Sequence, residues 1–319
     1  MIPSRNKMYK TLQDLYEHWG LDDDIRCPET FTGKINWLKI NGDLTNMAKL
    51  ADKHKVKSWV REKIGEKYVI KTLGVWKDVD DIDFDSLPNQ FVFKANQGSN
   101  LNYIVRDKSK ENWNELKHIL DEWLDKSLGW YGLEIHYLGI PRRIIAEEYI
   151  TQLDGNLLDY KVHCFNGEPA FIEVIGDRDL EKHTGMQANY DFEWKRFDWT
   201  FEDYPAYPNE LPKPAKLNEI YKVSKKLCEG FEYVRVDLYI IEDCIKFGEM
   251  TFTPGNGRHP YKGSWNRQLD KEFGAMIPKK KDSINKKLRR FVFMRKADML
   301  LFVYAIRYQL KKLKRNKTA

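Results

Sequence analysis

Long apolar runs are missing from this chain of 319 residues. The longest uncharged apolar stretch near its end, Met299 to Ile306, is far short of the roughly 20 residues a bilayer-crossing helix needs. The first residues, MIPSRNKMYK, lack the apolar core of a secretion signal, so a cytosolic location is expected. Cysteine is scarce. Cys27, Cys164, Cys228 and Cys244 are far apart without a CxxC pair, which excludes a disulfide framework and a zinc finger. Also missing are an internal repeat, a Walker loop of the GxxxxGK[ST] type, any Ser-His-Asp or Cys-His arrangement, and any recognisable nucleic-acid-binding module.

Aromatic residues, by contrast, are plentiful. Ten Trp, 17 Tyr and 16 Phe supply ample surface to bury and exclude disorder. The net charge of +6 conceals an asymmetry: from Lys279 to Ala319 there are 15 Lys/Arg against two acids, Asp282 and Asp298. The remaining 278 residues carry a net −7. An anionic partner suggested by charge should therefore be sought at the C-terminus. This pattern divides the chain into an N-terminal region (1–75), a central domain (76–275) and a basic tail (276–319).

Apolar spacing predicts helices over Lys7 to Gly20, Leu50 to Ile64, about Lys110 to Leu128, and Leu217 to Cys228. Between them the pattern changes to strands. Phe91-Val92-Phe93 and Tyr103-Ile104-Val105 enclose a small-residue loop. Residues 143–150, 158–165 and 170–175 form a meander through turns at Gly155-Asn156 and Asn166-Gly167. Val234 to Ile241 and Cys244 to Phe252 form a further hairpin, stopped by Pro254-Gly255. Antiparallel hairpins interleaved with helices give an α+β chain.

Three groups of residues could carry chemistry. Lys94 ends a strand and is followed by Gly98-Ser99-Asn100. A strand-held lysine can pair with phosphate oxygens, while backbone N–H groups of a small-residue loop approach the same anion. The same pattern also describes an ordinary surface hairpin. Glu147 and Glu148 end an apolar strand, so alternation turns one of them inward, where a ribose hydroxyl or adenine amine would satisfy it; a charged strand end at the surface is the other reading. Arg235 and Asp237 share one strand face, and Glu249 lies on the partner strand within cross-strand reach of Asp237. Such a set suits magnesium with nucleotide phosphates, or a structural Arg–Asp pair. His163 and His259, each alone, read as structural, with a contact to substrate as the other reading. The acidic runs at Asp22 to Asp24 and Asp80 to Asp85 read as loop acids or helix caps.

In this order the pieces resemble the ATP-grasp superfamily of carboxylate–amine ligases, and most nearly its TupA-like family of teichuronopeptide and polysaccharide biosynthesis. The resemblance runs from about Phe31 to about Phe273. It is carried by Trp37-Leu38-Lys39, Ala51-Asp52-Lys53 through Ile64-Gly65, FVFKANQGSN, DYKVHCFNGEP and RVDLYIIEDCIKFGEMTFTPGNG. It implies an ATP-grasp fold, with two antiparallel-sheet α+β subdomains gripping ATP. Lys53, Lys94, Gly98, Ser99, Glu147 and Glu148 would bind the nucleotide. Asp237, Glu249 and Thr251 would hold Mg2+, and Arg235 and Lys161 would be catalytic. Thr251 stands where many of these ligases carry asparagine, and Asn256, beyond the Pro-Gly turn, could take its place. The implied partners are ATP, a carboxylate-bearing glycan or amino acid, and an amine. The implied pathway is capsular polysaccharide, O-antigen or teichuronopeptide synthesis. Substrate choice is assigned to the N-terminal region and to the segment from Arg178 to Tyr207, whose aromatics either stack on sugar rings or belong to the core. The rival reading is a glycosyltransferase of surface polysaccharide assembly, which would need a DxD-like acid motif on a strand end.

In the tail, Met299, Val303, Ile306, Leu310 and Leu313 fall on one helical face among Arg307, Lys311, Lys312, Lys314 and Arg315. A basic amphipathic helix of this kind either lies in an anionic membrane interface, gaining up to about 1 kcal/mol per nearby cation, or packs its stripe on the protein body.

Overall fold

The computed structural model describes residues 2–150, 157–179, 184–201, 204–261, 264–278 and 284–318. Four helices come first: α1 (Arg5–His18), α2 (Phe31–Asn41), α3 (Leu44–Ala51) and α4 (Lys55–Ile64). A four-stranded sheet follows, built from β1 (Thr72–Trp76), β2 (Phe91–Ala95), β3 (Asn102–Val105) and β4 (Ile144–Glu148), with α5 (Trp113–Asp125) against it. The second sheet has five strands: β5 (Asp159–Phe165), β6 (Glu168–Asp179), β7 (Thr184–Tyr190), β8 (Tyr233–Ile241) and β9 (Cys244–Thr251). Helix α6 (Leu217–Cys228) precedes β8, and α7 (Arg267–Ala275) and α8 (Ile284–Thr318) close the chain. The strand orders are β1-β4-β2-β3 and β7-β6-β5-β8-β9, with every named pairing antiparallel. The α+β expectation holds.

Each sheet is apolar on one face and charged on the other. In the small sheet Phe91, Phe93, Ala95, Ile144 and Ala146 pack on Leu116, Leu120 and Trp123 of α5. Alternation then turns Lys94 and Glu147 to the opposite face. In the large sheet Val162, Val174, Val236, Leu238 and Phe247 join Ile220, Val223 and Leu227 of α6 and the N-terminal helices in one core. The charged residues Lys161, Glu173, Asp237 and Glu249 occupy the other face. All seven positions of β5 are buried: one face lies in the main core, and on the other Phe165 and His163 pack among Phe31, Phe171 and Phe201 while Asp159 and Lys161 pair with charged neighbours.

Several details depart from the sequence reading. The expected helix from Leu50 to Ile64 is two helices broken at Asp52-Lys53. Asp52 Oδ1 accepts from His54 N at 3.0 Å and Lys55 N at 3.3 Å, capping α4 and leaving Lys53 outside either helix. Helix α2 carries no apolar stripe because ten of its 11 residues are buried all round, Lys34 and Lys39 included. Strand β1 spans residue 75, so the small sheet takes its edge strand from both sides of the expected boundary. The Gly155-Asn156 turn lies outside the described residues.

Helix α8 buries Phe293 and Ala297 in the main core. Arg142 N donates to Tyr304 Oη at 2.7 Å, and the Arg142 guanidinium lies 4.1 Å from the centre of the Tyr304 ring. Lys311 pairs with Asp121, and Arg307 with Asp78 at 3.2 Å. The stripe read from the sequence, Met299 to Leu313, is a different one and faces outward. No helix among the described residues is long and apolar enough to cross a membrane.

Candidate active site

The large sheet sets out its charged residues in a row. Pairing places Asn189 beside Glu173, Glu173 beside Lys161, Lys161 beside Asp237, and Asp237 beside Glu249. The adjacent row runs Phe171, His163, Arg235, Thr251. Two register shifts produce this alignment. The β8–β9 hairpin turns at Glu242 and Asp243, both at positive φ, and an unbroken ladder from there would set Gly248 opposite Asp237. Glu249 would then fall on the apolar face. A bulge at Gly248 restores it to the charged face, and a Cβ on Gly248 would sit 2.9 Å from the Tyr239 ring. A second shift, beside Pro169, brings Glu173 opposite Lys161.

The small sheet and the α3–α4 break supply the facing groups. Asn96 fastens them together: its Nδ2 donates to Asp52 Oδ1 at 2.9 Å and Pro141 O at 3.0 Å, and its Oδ1 accepts from Arg143 N at 2.8 Å. Its carbonyl accepts from Lys53 N at 2.8 Å. Lys53 Nζ thereby reaches Gly98 O at 2.5 Å and Glu249 Oε2 at 3.1 Å, bridging the two lobes. Gly98 has φ +71, and a side chain there would collide with Leu128.

Between the lobes lies a cleft of about 430 Å³. Its walls include Lys53, Lys94, Gly98, Ser99, Glu147, Lys161, Arg235, Asp237 and Glu249, nine of the residues singled out from the sequence. Thr251 adjoins them, its Oγ1 donating to Glu249 Oε1 at 3.2 Å and accepting from Arg235 Nη2 at 3.3 Å. Glu148 is not brought in. Strand alternation turns it out of the cleft, where it lies 3.5 Å from Lys71 in an exposed pair. Asn256 is also committed elsewhere, since its Oδ1 accepts from the buried Lys39 Nζ at 2.9 Å. His163 is buried, stacked on Phe171 at 4.3 Å and bonded to Tyr233 Oη at 2.9 Å, so it supports the sheet from within. His259 is buried beside Phe31 and Phe201. Asp23 caps α2 through Thr30, which makes one of the loop acids structural.

The charges are densely paired. Arg235 holds Asp237 with two bonds of 2.7 Å, and Lys161 reaches Asp159 at 2.6 Å and Asp237 at 2.8 Å. Burial alone would raise the Asp237 carboxyl, but Arg235 and Lys161 more than reverse this and hold it far below the usual range. Glu249 is likewise lowered: burial and the Asp237 charge oppose ionisation, and Lys53 with Lys161 and Arg235 overcomes them. Glu147 sits between Lys57 and Lys94, each at 2.6 Å. Those two ammonium groups outweigh its burial and bring it to about 2. Burial prevails at Asp159 and Glu173, which are raised. Asp159 Oδ1 lies buried with no hydrogen-bond partner among the described residues.

The donor set fits magnesium of a particular kind. Asp237, Glu249 and Thr251 offer hard oxygens on neighbouring positions, while no cluster of three His, Cys, Asp or Glu ligands occurs among the described residues. Two carboxylates suit an ion that draws its other ligands from phosphates and water.

Sequence reasoning missed Lys57, Asn96 and Glu173. Lys57 follows Lys53 by four residues, but with Lys53 outside the helix no helical spacing could have linked the two. Glu173 required the Pro169 shift, for which the proline was the signal. In the segment from Arg178 to Tyr207, Trp199 and Phe201 are core residues, whereas Arg178 and Tyr204 line the cleft.

No curated protein matches the chain. Among solved structures, D-alanine–D-alanine ligase from Bacillus anthracis complexed with ATP is 19% identical, with 70% of this chain and 62% of that one covered and a TM-score of 0.39. L-amino acid ligase from Bacillus licheniformis is 15% identical, over 67% and 43%, with a TM-score of 0.40. D-alanyl-alanine synthetase A from Vibrio cholerae is 11% identical, over 74% and 66%, with a TM-score of 0.41. The chain thus spans less than two thirds of each of these ligases. The TupA-like ATP-grasp family model matches residues 33–278, most of the chain and both sheets that line the cleft. The protein belongs to the TupA-like ATP-grasp family.

Proposed function

We propose that the protein is an ATP-dependent carboxylate–amine ligase that forms an amide through an acyl phosphate. The observation that carries this reading is the cross-strand row Lys161–Asp237–Glu249, with Arg235 of the adjacent row bonded to Asp237, facing Lys53 and Lys94 across one cleft. ATP is assigned to that cleft, with its phosphates between Lys53, Lys94 and the Gly98-Ser99 loop. Glu147 orients Lys94 there. Asp237, Glu249 and Thr251 would hold Mg2+, which when bound neutralises phosphate charge.

In the first half-reaction a substrate carboxylate oxygen attacks the γ-phosphorus and the bond to the β–γ bridging oxygen breaks, releasing ADP. Arg235 and Lys161 would offset the charge that develops on the transferred group. In the second, an amine nitrogen attacks the acyl carbon, phosphate leaves with the bonding pair, and the nitrogen loses a proton. No covalent protein intermediate is needed; positioning and charge neutralisation supply the rate. The carboxylate is assigned to a glycan or an amino acid, and the pathway to capsule, O-antigen or teichuronopeptide synthesis. An anionic membrane surface completes the partners, with the enzyme cytoplasmic and peripheral on the inner face of the cell membrane.

A screen for phosphate release from ATP, pairing uronic-acid glycans and amino acids with amines, tests the reaction. The reading requires release that depends on both a carboxylate and an amine. Sugar transfer from a nucleotide sugar without ATP would replace it with the glycosyltransferase.

A further inference from the structure

The charged C-terminal segment is apolar on two opposite sides. One side of α8 is used by the protein: Phe293 and Ala297 are buried, and Tyr304 packs on Arg142. At 100° per residue, Leu288, Phe291, Met299, Phe302, Ile306 and Leu313 fall within an arc of about 80° centred about 180° from that packed side. All six are exposed, from 45% at Ile306 to 68% at Phe302. Of the 14 large apolar residues exposed among the described residues, 11 belong to this helix. Isolated exposed apolar residues are ordinary, but six on one arc of a helix of 35 residues, sharing it between Leu288 and Leu313 with Arg295 and Gln309, are not.

Cations border the face. Exposed Lys287 and Lys312 lie along one edge and exposed Arg289 and Lys296 along the other. Arg295, within the face, sets its guanidinium over the Phe291 ring, 5.4 Å from the ring centre. From 284 to 318 there are 12 Lys/Arg and one acid, Asp298, and that acid accepts from Ile2 N at 2.6 Å. Charge selects the occupant. A second copy would bring 12 cations against 12, whereas an anionic bilayer supplies both a hydrocarbon boundary for the apolar arc and phosphates for its borders.

We infer that α8 docks flat on an anionic membrane through the Leu288–Phe302–Leu313 face while its opposite face stays packed on the enzyme. This deepens the peripheral attachment proposed above by naming the surface that makes it. It is independent of the ligase chemistry.

Flotation of the full-length protein with phosphatidylcholine vesicles, with and without 30 mol% phosphatidylglycerol, tests the inference. Two double variants, Phe291→Ser/Phe302→Ser and Leu288→Ser/Ile306→Ser, are compared with the wild type. Their positions are exposed, so the thermal melt should stay unchanged, which checks the fold. Binding should require phosphatidylglycerol, fall at least tenfold between 50 mM and 500 mM salt, and fall at least tenfold in either variant. Failure of the wild type to float with anionic vesicles would overturn the attachment itself. Wild-type flotation matched by both variants would overturn the assigned face alone. A lipid-free dimer that both variants dissociate would give the face to a second copy and overturn the membrane.

Discussion

Lys94 illustrates how a side chain can be held by its own protein and still be free for a ligand. Its ammonium pairs with Glu147, which Lys57 also holds, yet it is partly exposed to the cleft. Lys94→Ala should therefore weaken binding of a non-hydrolysable ATP analogue at least tenfold by isothermal titration, in line with charged hydrogen bonds worth about 1.5–3 kcal/mol. The fold should remain, and unchanged affinity would return Lys94 to the role of an ordinary hairpin residue. Glu147 makes a separate prediction about pH. Its carboxyl is held at about 2 in the folded protein against 4.5 as its ordinary value, so its contribution is complete above about pH 4.5 and is lost as pH falls towards 2. Urea melts of wild type and Glu147→Gln should differ less at pH 3 than at pH 7, by about 2 kcal/mol. A constant difference would mean that Glu147 is not ionised against the two lysines. At this scale the sequence was informative in part: alternation put Arg235 and Asp237 on one strand face and Lys94 at a strand end, while the surface-hairpin and ion-pair readings stayed open. It could not separate Glu147 from Glu148 until pairing with β2 fixed which one shares a face with Lys94.

Among the structural elements, the β8–β9 hairpin matters most because a single extra residue decides which way Glu249 points. Counting from the turn without the bulge puts Glu249 with the apolar residues, so the metal-ligand expectation depended on a shift that only Gly248 signals. Gly248→Val would drive a β-branched side chain towards the Tyr239 ring and the Asp237 carbonyl. Turnover should fall about 10²-fold or more, to the level of Glu249→Gln, and a magnesium titration of activity should shift in both variants alike. A Gly248→Val enzyme with wild-type magnesium dependence would show that the bulge does not position Glu249. The same reasoning explains what was illegible elsewhere. Helix α2 is buried on every side, so it has no periodicity to read. The break between α3 and α4 rests on Asp52, whose side chain caps one helix while bonding Asn96 some 44 residues away. Such a contact is a property of the assembled lobes, not of the local sequence.

Across the whole molecule, α8 joins what the cleft separates. Its N-terminal half is fastened to the body through Phe293, Ala297 and the Arg290–Asn41 carbonyl bond of 2.8 Å. Its C-terminal half is fastened to the small-sheet lobe, where Arg307 and Lys311 meet Asp78 and Asp121. The sequence located this charged element and its amphipathic character but assigned one apolar stripe where the helix has two. A periodicity count cannot tell a packed face from an exposed one when both are apolar. Facing sheets, a lysine-lined small lobe and an acid-and-arginine-lined large lobe together support one central claim: a carboxylate oxygen is phosphorylated by ATP before the amide forms. The most direct test uses whichever carboxylate and amine pair turns over, with the carboxylate labelled in both oxygens with 18O. The account predicts one 18O atom in each inorganic phosphate released, with ADP as the nucleotide product. Label appearing in AMP, or released phosphate without label, would contradict it.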